Sequence, residues 1–567
     1  MLQIILTLVI FVLLIIPIGR YMFHIATGQH TFCDPVFNRI DNGIYRICGI
    51  NQNEGMGWKK YALALVLTNA VMVFIGYLIL RIQFLPVFNP NGIGAMEPTL
   101  SFNTIISFMT NTNLQHYSGE SGLSYLSQML VIIFMMFVSA STGYAACVAF
   151  CRGLTGTSKN NLGNFYVDLV RITTRILIPF SIIVTLILVW QGAPQNFMAN
   201  QTVTTIEGTQ QDIAMGPIAS LVSIKHLGTN GGGFFGVNSA FPYENATPLS
   251  NIIEALCLLL IPAALCFTFG KAVKDTRQGK TILVVMTVIF VAALVGLSCA
   301  EIFGAPSWDS VASLGGSMEG KETRFGVGGS SLWAAATTAA SNGSVNAMHD
   351  SLTPLGGMIT MFLMQLGEVV FGGVGCGLYG MLAFALLTVF MAGLMVGRTP
   401  EYIGKKINAF DMKMVCIIIL VPPLCLLLAT AITTLFPAAQ QLQADGGWLS
   451  NTGSHGFSEI LYAYTSMAGN NGSAFAGFQA NTVLTNVMGG TVMLLVRFLP
   501  MVAVIYLAQS LASKKYVPAG SGTLATTSPL FVGFLIVIVL IVGALTFLPV
   551  LALGPLAEFF TQLHVLG

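Results

Sequence analysis

Apolar windows of about 20 residues, the length that spans the hydrocarbon core of a bilayer, recur along this chain with polar stretches between them. Charge-free windows fall near residues 1–19, 61–80, 124–149, 176–194, 281–300, 414–434 and 529–552. Three more carry one charge each: 251–270 with Glu254, about 357–397 with Glu368, and about 484–512 with Arg497. The pattern predicts an all-α polytopic membrane protein with ten transmembrane helices. The first window lacks a basic start and a small-residue cleavage site, so it reads as a spanning helix rather than a signal peptide.

An even number of spans leaves both termini on one side, and basic residues choose the side. With the N-terminus outside, the inner loops hold 19 of the 24 Lys and Arg residues, among them Arg20, Lys59, Arg152, Lys271, Arg398 and Lys514. Arg81, Lys225, Lys321 and Arg324 stay outside, and Arg497 lies within a span. Both termini are therefore expected on the extracytoplasmic side.

Four outer loops each contain an apolar segment too short to cross: 101–110, 216–228, 330–340 and 456–468. Such lengths suggest re-entrant half-helices. Each runs into a small polar triplet: Asn111-Thr112-Asn113, Thr229-Asn230-Gly231, Ser341-Asn342-Gly343 and Asn470-Asn471-Gly472. The third members are separated by 118, 112 and 129 residues, which points to a duplicated unit of span, half-helix, polar loop and span. Four such units occupy 60–151, 172–271, 280–398 and 412–513, arranged with pseudo-fourfold symmetry. Helices 1–20 and 528–553 are extras at either end.

Irregular backbone at membrane depth persists only where protein buries it or where it lines water. Four such loops about one axis present rings of carbonyls, which replace the hydration shell of a cation. None of the twelve triplet positions is charged. Divalent filters carry acidic rings and anion pores basic ones, so a neutral ring favours a monovalent cation. Half-helix C-termini aimed at the loops add to this field.

Composition narrows the class further. Only 8% of the 567 residues are charged and 54% are hydrophobic, which excludes a soluble domain. A net charge of +2 without basic runs gives no reason to expect nucleic acid. The ten cysteines form no CxxC pair and the histidines no HExxH, so no metal enzyme or organic cofactor is expected. Gly375 to Gly380 matches GxGxxG literally but lacks the strand a dinucleotide site requires. The longest inner loop, about forty residues, is too short for a nucleotide-binding domain.

A helix over 357–397 would be about 60 Å long, twice the core thickness. Glycines including Gly372, Gly373 and Gly375 allow it to break behind the triplets, either as a gate or for packing. Glu368 and Arg497, ionised groups in apolar surroundings, either pair as a structural bridge or line an exit path. Arg398 ends the long segment at the inner surface.

The stretches TNTNLQHYSGESGLSY, GTNGGGFF, MEGKETRFG, GEVVFGGVG, GRTPEYIGKKI and NNGSAFAG closely resemble the potassium-binding A subunits, KdpA, of bacterial Kdp potassium-importing ATPases. The resemblance covers essentially the whole chain and implies a four-repeat fold like a single-chain potassium channel. It implies a potassium filter made by the twelve triplet residues, with Gln115 at the outer mouth and the third-repeat glycines and Glu368 near the inner exit. Leu114 and Asn342 depart from the Trp and Cys that members can carry. The resemblance also implies a bacterial inner-membrane location, potassium as substrate, a P-type ATPase B subunit that uses the ATP, and C and small F subunits. An ATPase-independent potassium transporter or channel of the same superfamily is the alternative. A membrane enzyme using Glu368 or His349 as acid or base is a second.

Overall fold

Runs of Leu, Ile, Val and Phe cross hydrocarbon as helices because every backbone hydrogen bond then closes within the segment. The computed structural model describes residues 2–31, 34–156, 161–303, 316–367, 369–397, 399–436, 448–518 and 523–566. Among these residues ten helices are long and apolar enough to span: Gln3–Thr27, Trp58–Ile82, Tyr125–Thr155, Phe165–Trp190, Pro248–Ala272, Thr276–Phe303, Cys376–Met395, Ala409–Leu435, Val483–Ala512 and Pro529–Leu563. Each overlaps one of the ten apolar windows. Large side chains such as Leu13 (68% exposed), Phe74 (64%) and Leu186 (65%) face outward, a distribution that suits lipid and not water. The spans Tyr125–Thr155 and Pro248–Ala272 are instead largely buried and form the centre.

Four shorter helices lie between the spans: Pro98–Met109, Ile218–Leu227, Gly326–Ala339 and Gly453–Ala468. The longest has 16 residues, about 24 Å, so none crosses a core of about 30 Å. The first starts with Pro98 at its N-terminal position, where the Glu97 carboxylate accepts the Leu100 N–H at 2.7 Å. All four are almost wholly buried, and each stops at its triplet.

The long apolar stretch of the third unit is broken. Helix Pro354–Gln365 ends, irregular backbone follows, and helix Cys376–Val396 begins afresh. Gly367, Phe371, Gly372 and Gly375 all have positive φ, which no right-handed helix accommodates. Gly375 also lies against the carbonyl of Gly143 on the neighbouring span. A Cβ on Gly143 would stand 2.8 Å from both the Val374 carbonyl and an Arg497 guanidinium nitrogen.

Three features differ from the hydropathy pattern. The fourth span begins at Phe165, well before the charge-free window, and two of its early charges, Asp168 and Arg175, are paired. Arg152 grips Asp168 with two hydrogen bonds of 2.6 and 2.8 Å, and Arg175 meets Asp34 at 3.0 Å and Asp41 at 2.7 Å. Asp34 and Asp41 belong to an additional helix, Asp34–Cys48, with exposed Val36, Ile40 and Ile47 among its polar residues. An outer loop forms an antiparallel hairpin of Gln201–Thr204 with Gln210–Ile213.

Gly143→Val is expected to destabilise the fold by at least the ~1–3 kcal/mol typical of overpacking. The thermal midpoint of the detergent-solubilised protein should fall by several degrees, and a midpoint equal to that of the parent chain would contradict the close approach.

Candidate functional site

The four half-helices end in the same turn. Asn111 (φ 64°), Thr229 (φ 50°), Ser341 (φ 50°) and Asn470 (φ 43°) all adopt the left-handed region. The next residue's N–H then reaches back five positions: Thr112 to Ser107 O at 3.0 Å, Asn230 to Lys225 O at 2.8 Å, Asn342 to Thr337 O at 3.0 Å and Asn471 to Ser466 O at 2.9 Å. This is a helix stop of the Schellman type. It has a directional consequence. The donors of each turn are consumed by the half-helix behind it, while the carbonyls are released on the other side. Among the described residues, the carbonyl oxygens of Thr112, Asn230, Asn342 and Asn471 accept no hydrogen bond, although all four residues are fully buried.

The loops meet at one place. A Cβ built on Gly231 would stand 2.8 Å from Gly472 Cα, 2.8 Å from the Thr112 carbonyl oxygen and 2.9 Å from that of Asn342. One on Gly472 would overlap the Thr112 oxygen. Glycine is required there because backbone from three other loops already fills the space.

The polar side chains of the triplets point away from this centre and tie neighbouring loops together. Asn111 Nδ2 donates to Thr229 O at 2.8 Å, and Asn230 Nδ2 to Asn111 Oδ1 at 2.8 Å. Asn342 Nδ2 donates to Lys225 O at 2.9 Å. Asn471 Nδ2 donates to Thr337 O at 2.8 Å, and Ser341 Oγ to Gly469 O at 2.6 Å. Asn470 Nδ2 closes the circle on Thr112 Oγ1 at 2.8 Å. Every interface of first to second, second to third, third to fourth and fourth to first loop is thus bridged. Asn113 and Gly343 complete the twelve residues, all buried, with positive φ at both.

The second loop departs from the other three. Thr337 Oγ1 accepts the Gly343 N–H at 2.9 Å and Ser466 Oγ that of Gly472 at 3.0 Å, while Ser107 O receives Asn113 N–H at 2.9 Å. The equivalent position in the second loop is Lys225. Its buried ammonium donates to Asn238 Oδ1 at 2.6 Å, Ser239 Oγ at 2.8 Å and the Glu244 carboxylate. Asn238 Nδ2 then holds the Gly231 carbonyl at 2.8 Å. Sequence reasoning missed this network; its signal is the one lysine among the four half-helices, beside His226.

At the outer mouth, Gln115 and Gly233 exchange two hydrogen bonds of 2.9 Å, linking the first loop to the second. Burial lowers the neighbouring His116 to about 4, against the raising effect of the hydrogen bond its Nδ1–H donates to Asn486 Oδ1, so the imidazole is neutral near pH 7 and sets no positive charge at the entrance. On the inner side, the glycine-rich break packs directly under the ring. Gly372 N–H bonds Ala339 O at 3.1 Å, Val374 N–H bonds Thr229 Oγ1 at 3.0 Å, and Gly373 O receives Gly377 N–H at 3.1 Å. Buried Arg497 donates to Cys376 Sγ at 2.7 Å. A cavity lined by Asn470, Arg497, Gln365, Cys376 and Gly543 runs from the fourth loop toward the last long span. Glu368 and Arg398 lie outside the described residues, so the expected Glu368–Arg497 pairing has no geometry here.

Among the described residues, ten spans around four uncharged backbone loops define a channel-like membrane transport protein. The fold is similar to the crystal structure of the potassium transporter TrkH from Vibrio parahaemolyticus, with a TM-score of 0.50 at 13% identity over 77% of this chain and 84% of that one. Residues 5–560 match the family model KdpA, described as potassium-transporting ATPase A subunit. The potassium-transporting ATPase potassium-binding subunit of Listeria monocytogenes is 53% identical over 98% of this chain and 97% of its own length. That of Clostridium perfringens is 52% identical over 99% of both. The chain belongs to the KdpA family.

Removing one member of a buried ion pair leaves an uncompensated charge that costs about 3–5 kcal/mol. Lys225→Met should therefore cut the yield and thermal midpoint of folded protein sharply, and adding Glu244→Gln should restore most of the loss. A single variant as stable as the parent chain would contradict the network.

Proposed function

We propose that this chain is the potassium-binding, channel-like subunit of an ATP-driven potassium pump. Its four triplets form the selectivity filter: Asn111-Thr112-Asn113, Thr229-Asn230-Gly231, Ser341-Asn342-Gly343 and Asn470-Asn471-Gly472. The observation that carries this reading is the fourfold recurrence of one helix-stop turn whose buried middle carbonyls have no partner among the described residues. A buried carbonyl without a partner is costly. A dehydrated cation satisfies all four at once. The ring is neutral, so a monovalent ion is held by dipoles without the deep well that acidic ligands would create. The negative ends of four half-helices strengthen the same field.

In this reading the filter units are four repeats, 60–151, 172–271, 280–398 and 412–513, flanked by the extra helices 1–20 and 528–553. Both termini are extracytoplasmic in a bacterial inner membrane, as the distribution of basic residues supports. Gln115 shapes the outer mouth. Gly372, Gly373 and Gly375, with Glu368, form the inner barrier, and Arg398 and Arg497 belong to the exit path. The cavity past Arg497 supplies a lateral route out of the ring, which suits transfer of the ion to a neighbouring subunit. A P-type ATPase B subunit hydrolyses ATP and releases the ion inside, and the C and F subunits complete the complex.

The test is cation-stimulated ATPase activity of the reconstituted complex across the alkali series. The parent complex should respond to potassium far more strongly than to sodium. Gly231→Asp should raise the potassium concentration for half-maximal activity at least about tenfold and erode the potassium–sodium preference, because its side chain crowds the backbone of three other loops and its charge attracts either ion indiscriminately. Unchanged kinetics and preference would overturn the filter assignment. Failure of any ATPase subunit to co-purify in mild detergent would favour an ATPase-independent transporter instead.

A further inference from the structure

One cluster of ligating side chains stands apart from the ring, on the side of the half-helix N-termini. His455 and Glu459 lie one turn apart on helix Gly453–Ala468, Asp350 follows the third triplet, and Glu558 opens the terminal helix Ala557–Leu566. Donor atoms of Asp350, His455 and Glu459 all fall within 4.8 Å of one another. His455 Nε2 is 3.0 Å from Asp350 Oδ1, and His455 Nδ1 is 2.9 Å from Glu558 Oε1.

Two independent observations point to a cation. Glu459 is fully buried; its Oε1 accepts from Asn451 N at 3.1 Å and Nδ2 at 2.8 Å, but Oε2 has no partner. Three carboxylates surround one imidazole, and among the described residues no Lys or Arg pairs with any of them. His455, paired with Asp350 and Glu558, offers these three carboxylates at most one positive charge, and burial disfavours the uncompensated remainder. Gly477 adds a cradle: a Cβ there would overlap Glu459 Oε1 and stand 3.0 Å from Asp350 Oδ1. The Phe475 ring stacks on His455 at 5.9 Å and fixes the imidazole plane.

We propose that Asp350, His455 and Glu459 bind one divalent transition-metal ion of the Zn2+ type. An imidazole nitrogen with two carboxylate oxygens suits Zn2+, whereas Ca2+ and Mg2+ take all-oxygen shells. The 3.0 Å between Nε2 and Oδ1 is close to the ~3.3 Å edge of a tetrahedral zinc site with bonds of ~2.0–2.2 Å. Glu558 accepts the Nδ1–H of His455 and so presents Nε2 to the metal, the arrangement that orients most ligating histidines. The ion joins the loop after the third triplet to the fourth half-helix, with the terminal helix braced behind.

The test is titration of Zn2+ into the purified, EDTA-stripped full chain by calorimetry, with Ca2+ and Mg2+ in parallel. One Zn2+ per chain should bind with a Kd of about micromolar or tighter, and the other two ions far more weakly. His455→Asn and Glu459→Gln should each weaken binding by at least 100-fold, and Glu558→Gln by about tenfold, as loss of an orienting carboxylate does. Co2+ should give visible absorption bands that His455→Asn abolishes. Glu558→Gln leaves all three ligands in place and serves as the readout if the ligand variants fail to fold. No specific Zn2+ binding, or a site unchanged in Glu558→Gln or in the folded ligand variants, would overturn the proposal.

Discussion

The arrangement depends on where the backbone donors at the end of each half-helix go. Thr112, Asn230, Asn342 and Asn471 each give their N–H to the carbonyl five residues earlier. That bond turns the chain; the Thr112 and Asn342 carbonyls then lie against Gly231 of the second loop, and the Asn471 carbonyl lies against Gly343 of the third. Helix stops usually solve a local problem of unsatisfied carbonyls. Here the stop moves the unsatisfied group to a shared centre, and four copies make that centre a coordination site in the proposed reading. Asn and Gly suit it because the left-handed region costs them least, yet Thr229 and Ser341 hold it as well, pinned by side-chain bonds to the strands of backbone around them.

Rigidity follows from the same chemistry. The triplet side chains make no ring of their own; they lace adjacent loops, so the distance across the centre is set by four sets of hydrogen bonds rather than by one loop's stiffness. The symmetry is broken in two places. In the second loop Lys225 replaces a hydroxyl, and its network turns the Gly231 carbonyl outward onto Asn238. In the third unit the spanning helix breaks beneath the ring, and Gly372 and Val374 bond to the third half-helix and the second loop. In the proposed reading this backbone plugs the filter from below, which suits a subunit that passes its ion sideways rather than straight through.

Much of this was legible in the sequence. Hydropathy located the ten spans because a bilayer punishes exposed backbone and charge more uniformly than a soluble core does. The half-helices showed as apolar segments of the wrong length, and the twelve triplet residues as their shared ending. Other parts were not legible because they depend on distant partners. Arg175 hid the true start of its span, since only contact with Asp34 and Asp41, more than 130 residues earlier, neutralises it. Lys225 read as an outer-loop charge although it is wholly buried. His455 appeared among scattered histidines; only folding brings Asp350 and Glu558 to its two nitrogens.

The central claim is that four middle carbonyls jointly hold one monovalent ion. A density map of the chain in rubidium or thallium, read by anomalous scattering, tests it most directly. A peak is expected on the central axis among the Thr112, Asn230, Asn342 and Asn471 oxygens, weakened by added potassium but not by added sodium. A centre with no peak, or ions bound only at the outer rim, would contradict it.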